Sequence, residues 1–199
     1  MIAAIVLAAG QSSRMGQPKA LLKIGNVSFL NYIIKQVKKA GLKKIIVVIG
    51  ANRREIEAEL KNYKGDVIIN HFFERGQLSS IIAGLEKIRG DKKVKGFLVC
   101  LVDHPLPKAA TMKKIVQQFT KNKKLIALPK YQSAHGHPIL FSSALIDELT
   151  NASMEIGARQ VVWNHSQDIW EVETNDEGVI ANIDTPDDYK KYITKKKKK

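Results

Sequence analysis

The chain opens with Ile2-Ala3-Ala4-Ile5-Val6-Leu7, an apolar run with no polar residue in it. A strand with one face in water alternates polar and apolar side chains, so this run predicts a strand covered on both faces. Such strands belong to mainly parallel sheets sandwiched between helices. The rest of the chain repeats the theme. Residues 44–50 and 96–102 are further buried runs, and 66–70 is a shorter one. Amphipathic stretches separate them. Residues 28–40 place Leu30, Ile33, Ile34 and Val37 on one helical face, and Gly41 stops the helix. Residues 52–63, with Asn52 as N-cap, 79–88, with Ile81, Ile82 and Leu85 inward, and 109–120 read as helices too.

Beyond residue 125 the alternation weakens. Residues 125–129 and 138–141 predict short strands, and 142–149 and 155–164 predict helices. Residues 169–173 and 179–183 predict a strand pair around the turn Asn175-Asp176-Glu177-Gly178. A last short helix starts at Pro186, a residue suited to a first helical turn. No internal repeat or Ser/Pro-rich linker divides the chain. The expectation is one α/β domain over residues 1–194, with the five lysines of 195–199 as a disordered tail.

Composition narrows the function. With 199 residues, 44% hydrophobic and 26% charged, the chain can bury a core without disulfide or metal staples. No apolar run approaches the roughly 20 residues of a membrane-spanning helix, and no basic region precedes the first strand. Neither a membrane partner nor a secretory leader is expected. Cys100 is the only cysteine, reads as an inert buried thiol, and suits a reducing, cytoplasmic setting. The net charge of +14 invites a polyanion. Five of those charges lie in the tail, most other lysines sit along helices, and no recognition motif or aromatic–basic interleaving accompanies them. The expected anion is therefore a small phosphorylated ligand and not a nucleic acid.

The loop after the first strand supplies the chemistry. Leu7-Ala8-Ala9-Gly10-Gln11-Ser12-Ser13-Arg14-Met15-Gly16-Gln17-Pro18-Lys19 begins with small residues that let backbone N–H groups approach a ligand. Ser12 and Ser13 add hydroxyl donors. Arg14 and Lys19 place two cations at the carboxyl end of a strand, the edge where open α/β sheets bind ligands. On residues alone, a triphosphate site and a surface turn with two solvated cations both remain open. The spacing matches neither the Walker loop nor the dinucleotide GxGxxG pattern.

This loop resembles, almost position by position, the LAAGxSxRMGxxK signature of the MobA-like nucleotidyltransferases, and most of all their molybdenum cofactor cytidylyltransferase branch. Five later segments are also similar to segments of that family. Residues 74–85, ERGQLSSIIAGL, are similar to EGMSSSLRAGL, whose Gly-Ser turn opens a helix near the nucleotide. Ser79 and Ser80 read as helix caps beside free N–H groups, while Gln77 and Leu78 depart from the pattern. Leu98-Val99-Cys100-Leu101-Val102-Asp103-His104-Pro105 resembles LLxDQP, with His104 in place of glutamine. An acidic residue just past a buried strand must be paired, capping or metal-bound, and the resemblance implies Mg²⁺ for Asp103. Residues 134–141, AHGHPILF, are similar to GxxGxPVLF and read as a substrate-side loop in which Gly136 makes a close approach. His135 and His137 would face one side of a strand, but too few further ligands lie near for zinc. Ile183-Asp184-Thr185-Pro186-Asp187-Asp188-Tyr189 resembles IDTPEDY. Asp184 is an N-cap on residues alone and a second Mg²⁺ ligand by resemblance. Asp187 and Asp188 suit the dipole of the first helical turn. Glu155-Ile156-Gly157-Ala158-Arg159 is an altered GDxGAR, with Arg159 toward the acceptor phosphate.

The resemblance implies a three-layer, Rossmann-like nucleotide-diphosphosugar-transferase fold with a mostly parallel mixed sheet. It implies transfer of CMP from CTP to a terminal phosphate of molybdopterin or the molybdenum cofactor, with Mg²⁺ on Asp103 and Asp184. Leu7, Ala8, Ala9, Gly10, Ser12, Ser79, Ser80 and Asp103 would bind nucleotide. Lys19 would stabilise charge at the α-phosphate and Arg14 would hold the β- and γ-phosphates. His104, Gly136, His137 and Arg159 would lie on the acceptor side. Ala9, where the guanylyltransferase branch has glycine, favours a pyrimidine. The alternatives are another CTP- or GTP-dependent nucleotidyltransferase and, given the altered GDxGAR, a non-catalytic protein delivering cofactor to a molybdenum hydroxylase.

Overall fold

A computed structural model describes residues 1–194; the expected tail lies outside the described residues. The first run forms β1 (Ile2–Ala8), followed by α1 (Phe29–Lys39), β2 (Lys44–Ile49), α2 (Arg53–Glu59), β3 (Asp66–Ile69), α3 (Gln77–Glu86), β4 (Gly96–Leu101) and α4 (Ala109–Lys121). Next come β5 (Ile126–Tyr131), β6 (Ile139–Ser142), α5 (Ile146–Asn151), α6 (Arg159–Asn164), β7 (Ile169–Glu173) and α7 (Pro186–Tyr189). The strands lie in the order β7-β5-β6-β4-β1-β2-β3. Of these seven strands β6 alone runs against its neighbours, pairing antiparallel with β4 and β5, and the short segment Ala134–His135 also pairs antiparallel with β5, so the sheet is mixed and mostly parallel.

β1 is covered on both faces. Ala4, Val6 and Ala8 point to a core shared with α1, α2 and α4, and Ala3, Ile5 and Leu7 to one shared with α3, α5 and α6. The two-residue strand period thus feeds both layers from one apolar run. Ile5 and Val6 are wholly buried, which contributes about 2 kcal/mol each. Gly84 lets α3 lie close: a Cβ there would stand 2.6 Å from Ile5 Cγ2. That approach aims the N-terminus of α3 at the carboxyl end of β1.

Three expectations change. Residues 179–183 form no strand. Ile169–Glu173 pairs parallel with Ile126–Tyr131, and Glu177–Ile180 is a 3-10 turn. Its buried Asp176 accepts hydrogen bonds from Lys108 N (2.8 Å) and Thr111 Oγ1 (2.7 Å), and so caps α4 from across the fold. The helix predicted over 155–164 begins only at Arg159, because Gly157 sits at φ 77°. Asn52 does not cap α2 through its side chain; it turns the chain at φ 53°. No helix among the described residues is long and apolar enough to cross a membrane.

Candidate functional site

Parallel strands put the carboxyl ends of β1, β2, β3 and β4 along one edge, so the loops that follow them meet there. Ser12 at φ 58° and Gly16 at φ 72° fold the first loop back on itself. Ser12 Oγ accepts the Lys19 backbone N–H at 3.0 Å, which fixes where the lysine leaves the chain. The expected role of Ser12 as a ligand donor is thus joined by an internal one.

A small third core holds the far end of the sequence against this loop. Met15, Leu22, Phe29, Ile183 and Ile193 cluster, and Tyr189 stacks on Phe29 with ring centroids 6.0 Å apart. Ile183 N donates to Asp103 O at 2.8 Å. Asp184 is thereby delivered beside both the β1 loop and the end of β4. It is not the N-cap of α7. Thr185 fills that position in a capping box with Asp188, and Asp188 Oδ2 also receives the Asp184 N–H at 3.1 Å.

Four charged side chains converge as a result. Lys19 Nζ, nearly buried, hydrogen-bonds Asp184 Oδ1 and lies 3.6 Å from Asp103 Oδ2. Arg14 stands 3.0 Å from Asp184 Oδ2, and Asn182 Nδ2 donates to the same oxygen at 3.0 Å. Burial pushes the Asp184 carboxyl up, but the Lys19 hydrogen bond and the charges of Lys19 and Arg14 outweigh it and hold it below the usual range. A cavity of about 250 Å³ opens beside them, lined by Leu7, Ala9, Gly10, Ser12, Lys19 and Asp103 from the expected set, and by Phe73, Gly76, Gln77 and Ser80 from the start of α3.

The helix there starts at Gln77, two residues earlier than expected, so Ser79 and Ser80 are not caps. They are buried, and Asn70 Nδ2 donates to their hydroxyls at 2.9 and 3.0 Å. Asn70 Oδ1 receives the Phe72 N–H at 2.8 Å. Asn70 therefore clamps the turn that carries Gly76 and Gln77. Sequence reading missed it, and a lone asparagine at a strand end gives little signal.

A second cavity, of about 260 Å³, lies behind Gln77, which lines both. Its walls are mainly apolar, with Ile81, Val99, Leu128, Ile139, Phe141 and Val162, and its polar edges include His137 and Arg159. His135 and His137 diverge. His135 pairs with Glu171 at 2.6 Å, while His137 turns inward against His104, ring centroids 4.7 Å apart. Burial lowers the pKa of both. For His104 the nearby carboxylates oppose that, and His137 falls to about 3. The Nδ1 atoms of both rings are buried without a hydrogen-bond partner. Gly136 makes its close approach to the Val179 backbone and also lines the second cavity. Arg159 stacks over Trp163 at 5.9 Å. His165, for which the sequence suggested no partner, binds Glu148 Oε2 at 2.6 Å. Cys100 is buried and its thiol is pushed up to about 12, so it carries no chemistry.

The donor set can be tested against a metal. Asp103 and Asp184 supply hard carboxylate oxygens, and no cluster of three His, Cys, Asp or Glu side chains completes a protein cage among the described residues. That fits an ion taking most of its ligands from phosphate and water, as Mg²⁺ and Mn²⁺ do.

Known proteins resemble this chain in sequence and fold. Molybdenum cofactor cytidylyltransferase of Escherichia coli (strain K12) is 28% identical over 186 residues, 93% of this chain and 92% of that one. Nicotine blue oxidoreductase of Paenarthrobacter nicotinovorans is 25% identical over 195 residues, 92% of each chain. The bifunctional protein GlmU of Bartonella quintana (strain Toulouse) is 30% identical over 132 residues, which span 65% of this chain but only 29% of that protein. Among solved structures, Rv0371c of Mycobacterium tuberculosis H37Rv superposes with a TM-score of 0.85 at 27% identity, over 97% of both chains. Rv0371c has also been solved as a complex with manganese. The MobA-like NTP transferase domain is matched over residues 4–169, so the chain belongs to the MobA-like NTP transferase family.

Proposed function

We propose that this protein transfers CMP from CTP to a terminal phosphate of molybdopterin or of its molybdenum-loaded form. One observation carries the reading: Arg14, Lys19, Asp103 and Asp184, drawn from the start, middle and end of the chain, converge beside a cavity that Lys19 and Asp103 line. An acceptor phosphate oxygen attacks the α-phosphorus, the bond to the β-phosphate bridging oxygen breaks, and pyrophosphate leaves. An ionised phosphate nucleophile needs no general base. Catalysis is then positioning and charge stabilisation. Lys19 stabilises charge on the α-phosphate, and Arg14 holds the outer phosphates. Leu7, Ala8, Ala9 and Gly10 present backbone groups, and the Asn70-clamped start of α3, with Ser79 and Ser80 inside it, closes the opposite wall. Asp103 and Asp184 would hold Mg²⁺, which neutralises triphosphate charge when bound.

The second cavity suits the acceptor side, with His137 in its wall, His104 packed behind that ring, and Arg159 at its edge. CTP is favoured by Ala9 and by the kinship to a cytidylyltransferase. Radiolabelled CTP, molybdopterin and Mg²⁺ should yield pyrophosphate and a cytosine dinucleotide. No pyrophosphate with any of the four triphosphates would sink the enzyme reading. Nucleotide binding without turnover would instead support delivery of cofactor to a molybdenum hydroxylase, the reading that the altered segment at Glu155 motivates.

A further inference from the structure

Both cations that would serve the triphosphate are committed to the carboxylates that would serve the metal. Lys19 is the stronger case. Its ammonium hydrogen-bonds Asp184, lies 3.6 Å from Asp103, and belongs to a side chain only 10% exposed. Its backbone is tied to Ser12 at 3.0 Å, so the stem enters this space from a fixed point. Arg14, by contrast, is 70% exposed and reaches Asp184 from solvent at 3.0 Å.

A divalent ion arriving alone must join two carboxylates already neutralised by an ammonium, and feels its repulsion. A triphosphate arriving alone meets two carboxylates beside the cations it needs. When both arrive, Lys19 and Arg14 can pass to phosphate oxygens and leave Asp103 and Asp184 to the ion. We propose that Lys19 is a resident counter-ion that blocks the metal position until nucleotide draws it away, so that metal and nucleotide bind with positive coupling. The idea rests on reading the first cavity as a triphosphate site. By linkage, whatever CTP does for the metal, the metal does equally for CTP.

Direct Mn²⁺ binding, followed by the loss of the free-ion electron paramagnetic resonance signal, tests it without turnover. Wild-type protein should bind Mn²⁺ weakly alone. With CTP present it should bind about tenfold more tightly, after allowance for the Mn²⁺–CTP complex in solution. Phosphate ligands alone could give such synergy, so the decisive arm is Lys19→Met, which keeps the stem and removes the charge. That variant should bind Mn²⁺ alone about tenfold more tightly than wild type, while its affinity for CTP falls. Unchanged or weaker Mn²⁺ binding in a Lys19→Met protein with a wild-type melting profile overturns the proposal. If that variant does not fold, Lys19→Gln takes its place; in wild type, Mn²⁺ affinity equal with and without CTP also overturns the proposal. If wild type binds no CTP with or without Mn²⁺, the triphosphate reading fails, and the Mn²⁺-alone comparison of wild type and variant still judges the counter-ion.

Discussion

The two cavities on either side of Gln77 are built in opposite ways. The first is charged and carried by loops, with Lys19, Asp103 and Asp184 held at the carboxyl edge of the sheet. The second is floored by core strands and walled by α3 and α6, with His137 buried in its wall against His104. The difference teaches where each gets its selectivity. Charges at the first can move between partners as ligands come and go. Packed apolar walls at the second cannot, so shape does the selecting there.

The largest expected effect breaks the first cavity and spares the second. Asp184→Ala and Asp103→Ala should each lower Mg²⁺-dependent turnover by at least about 10³-fold, with circular dichroism still reporting a folded protein. Asp184→Ala should also cost about 2 kcal/mol in denaturant unfolding, because Lys19 loses its hydrogen-bond partner. Full activity in either variant removes that residue from the metal role.

Arg159→Ala should strike the other side. The KM for the acceptor should rise about tenfold, the worth of a charged phosphate contact, while the KM for CTP holds. A rise in the CTP KM instead would place Arg159 at the nucleotide and merge the two regions.

Acid separates them by stability. Burial holds His137 near 3 in the folded chain, against an ordinary value of 6.5. Below the ordinary value the unfolded chain takes up a proton that the folded chain refuses. Stability then falls by about 1.4 kcal/mol per pH unit from such a histidine until pH reaches the folded value. Asp184 is held below its ordinary value of 3.8, so its contribution is complete above that value and is lost as pH falls through the lower, folded pKa. The loss between pH 6 and 4 should therefore come from the buried pair of His137 and His104, whose pKa burial also lowers. His137→Asn should flatten it, and an unchanged acid slope in that variant would refute the assignment.

The same contrast explains what could be read from the residues. The first cavity is written in contiguous stretches, residues 7–19 and 74–85, around buried strands whose apolar runs announce themselves. The partners that place it were less visible. Asn70 and Asn182 act through one amide each, and Asp176 looks like a turn residue until the fold carries it 68 positions away, to Lys108. The second cavity takes one or two residues each from α3, β4, β5, β6 and α6, and no local pattern joins Ile81 to Phe141 or His137 to His104. The predicted 169–183 hairpin failed for the same reason. Parallel pairing of Ile169–Glu173 with Ile126–Tyr131 depends on a crossover that local turn chemistry does not encode.

The smallest expected effect concerns one methyl group. Ala9 is 3% exposed, lines the first cavity, and accepts the Ala51 N–H at 2.9 Å. It also leaves no room for a side chain at Gly50, where a Cβ would stand 3.0 Å from the Ala9 Cβ. The Ala9 methyl is therefore packed against the end of β2 while bounding the cavity, and removing it enlarges the site without shifting its charges. Ala9→Gly should move the ratio of kcat/KM for CTP over GTP toward GTP by about fivefold, the worth of one methyl in a pocket wall. The fold should lose no more than about 1 kcal/mol. The acceptor KM should stay where it is, because the second cavity does not touch residue 9. If the ratio does not move, base choice belongs to the α3 side of the cavity. Gln77 then becomes the residue to change, and both regions would move with it.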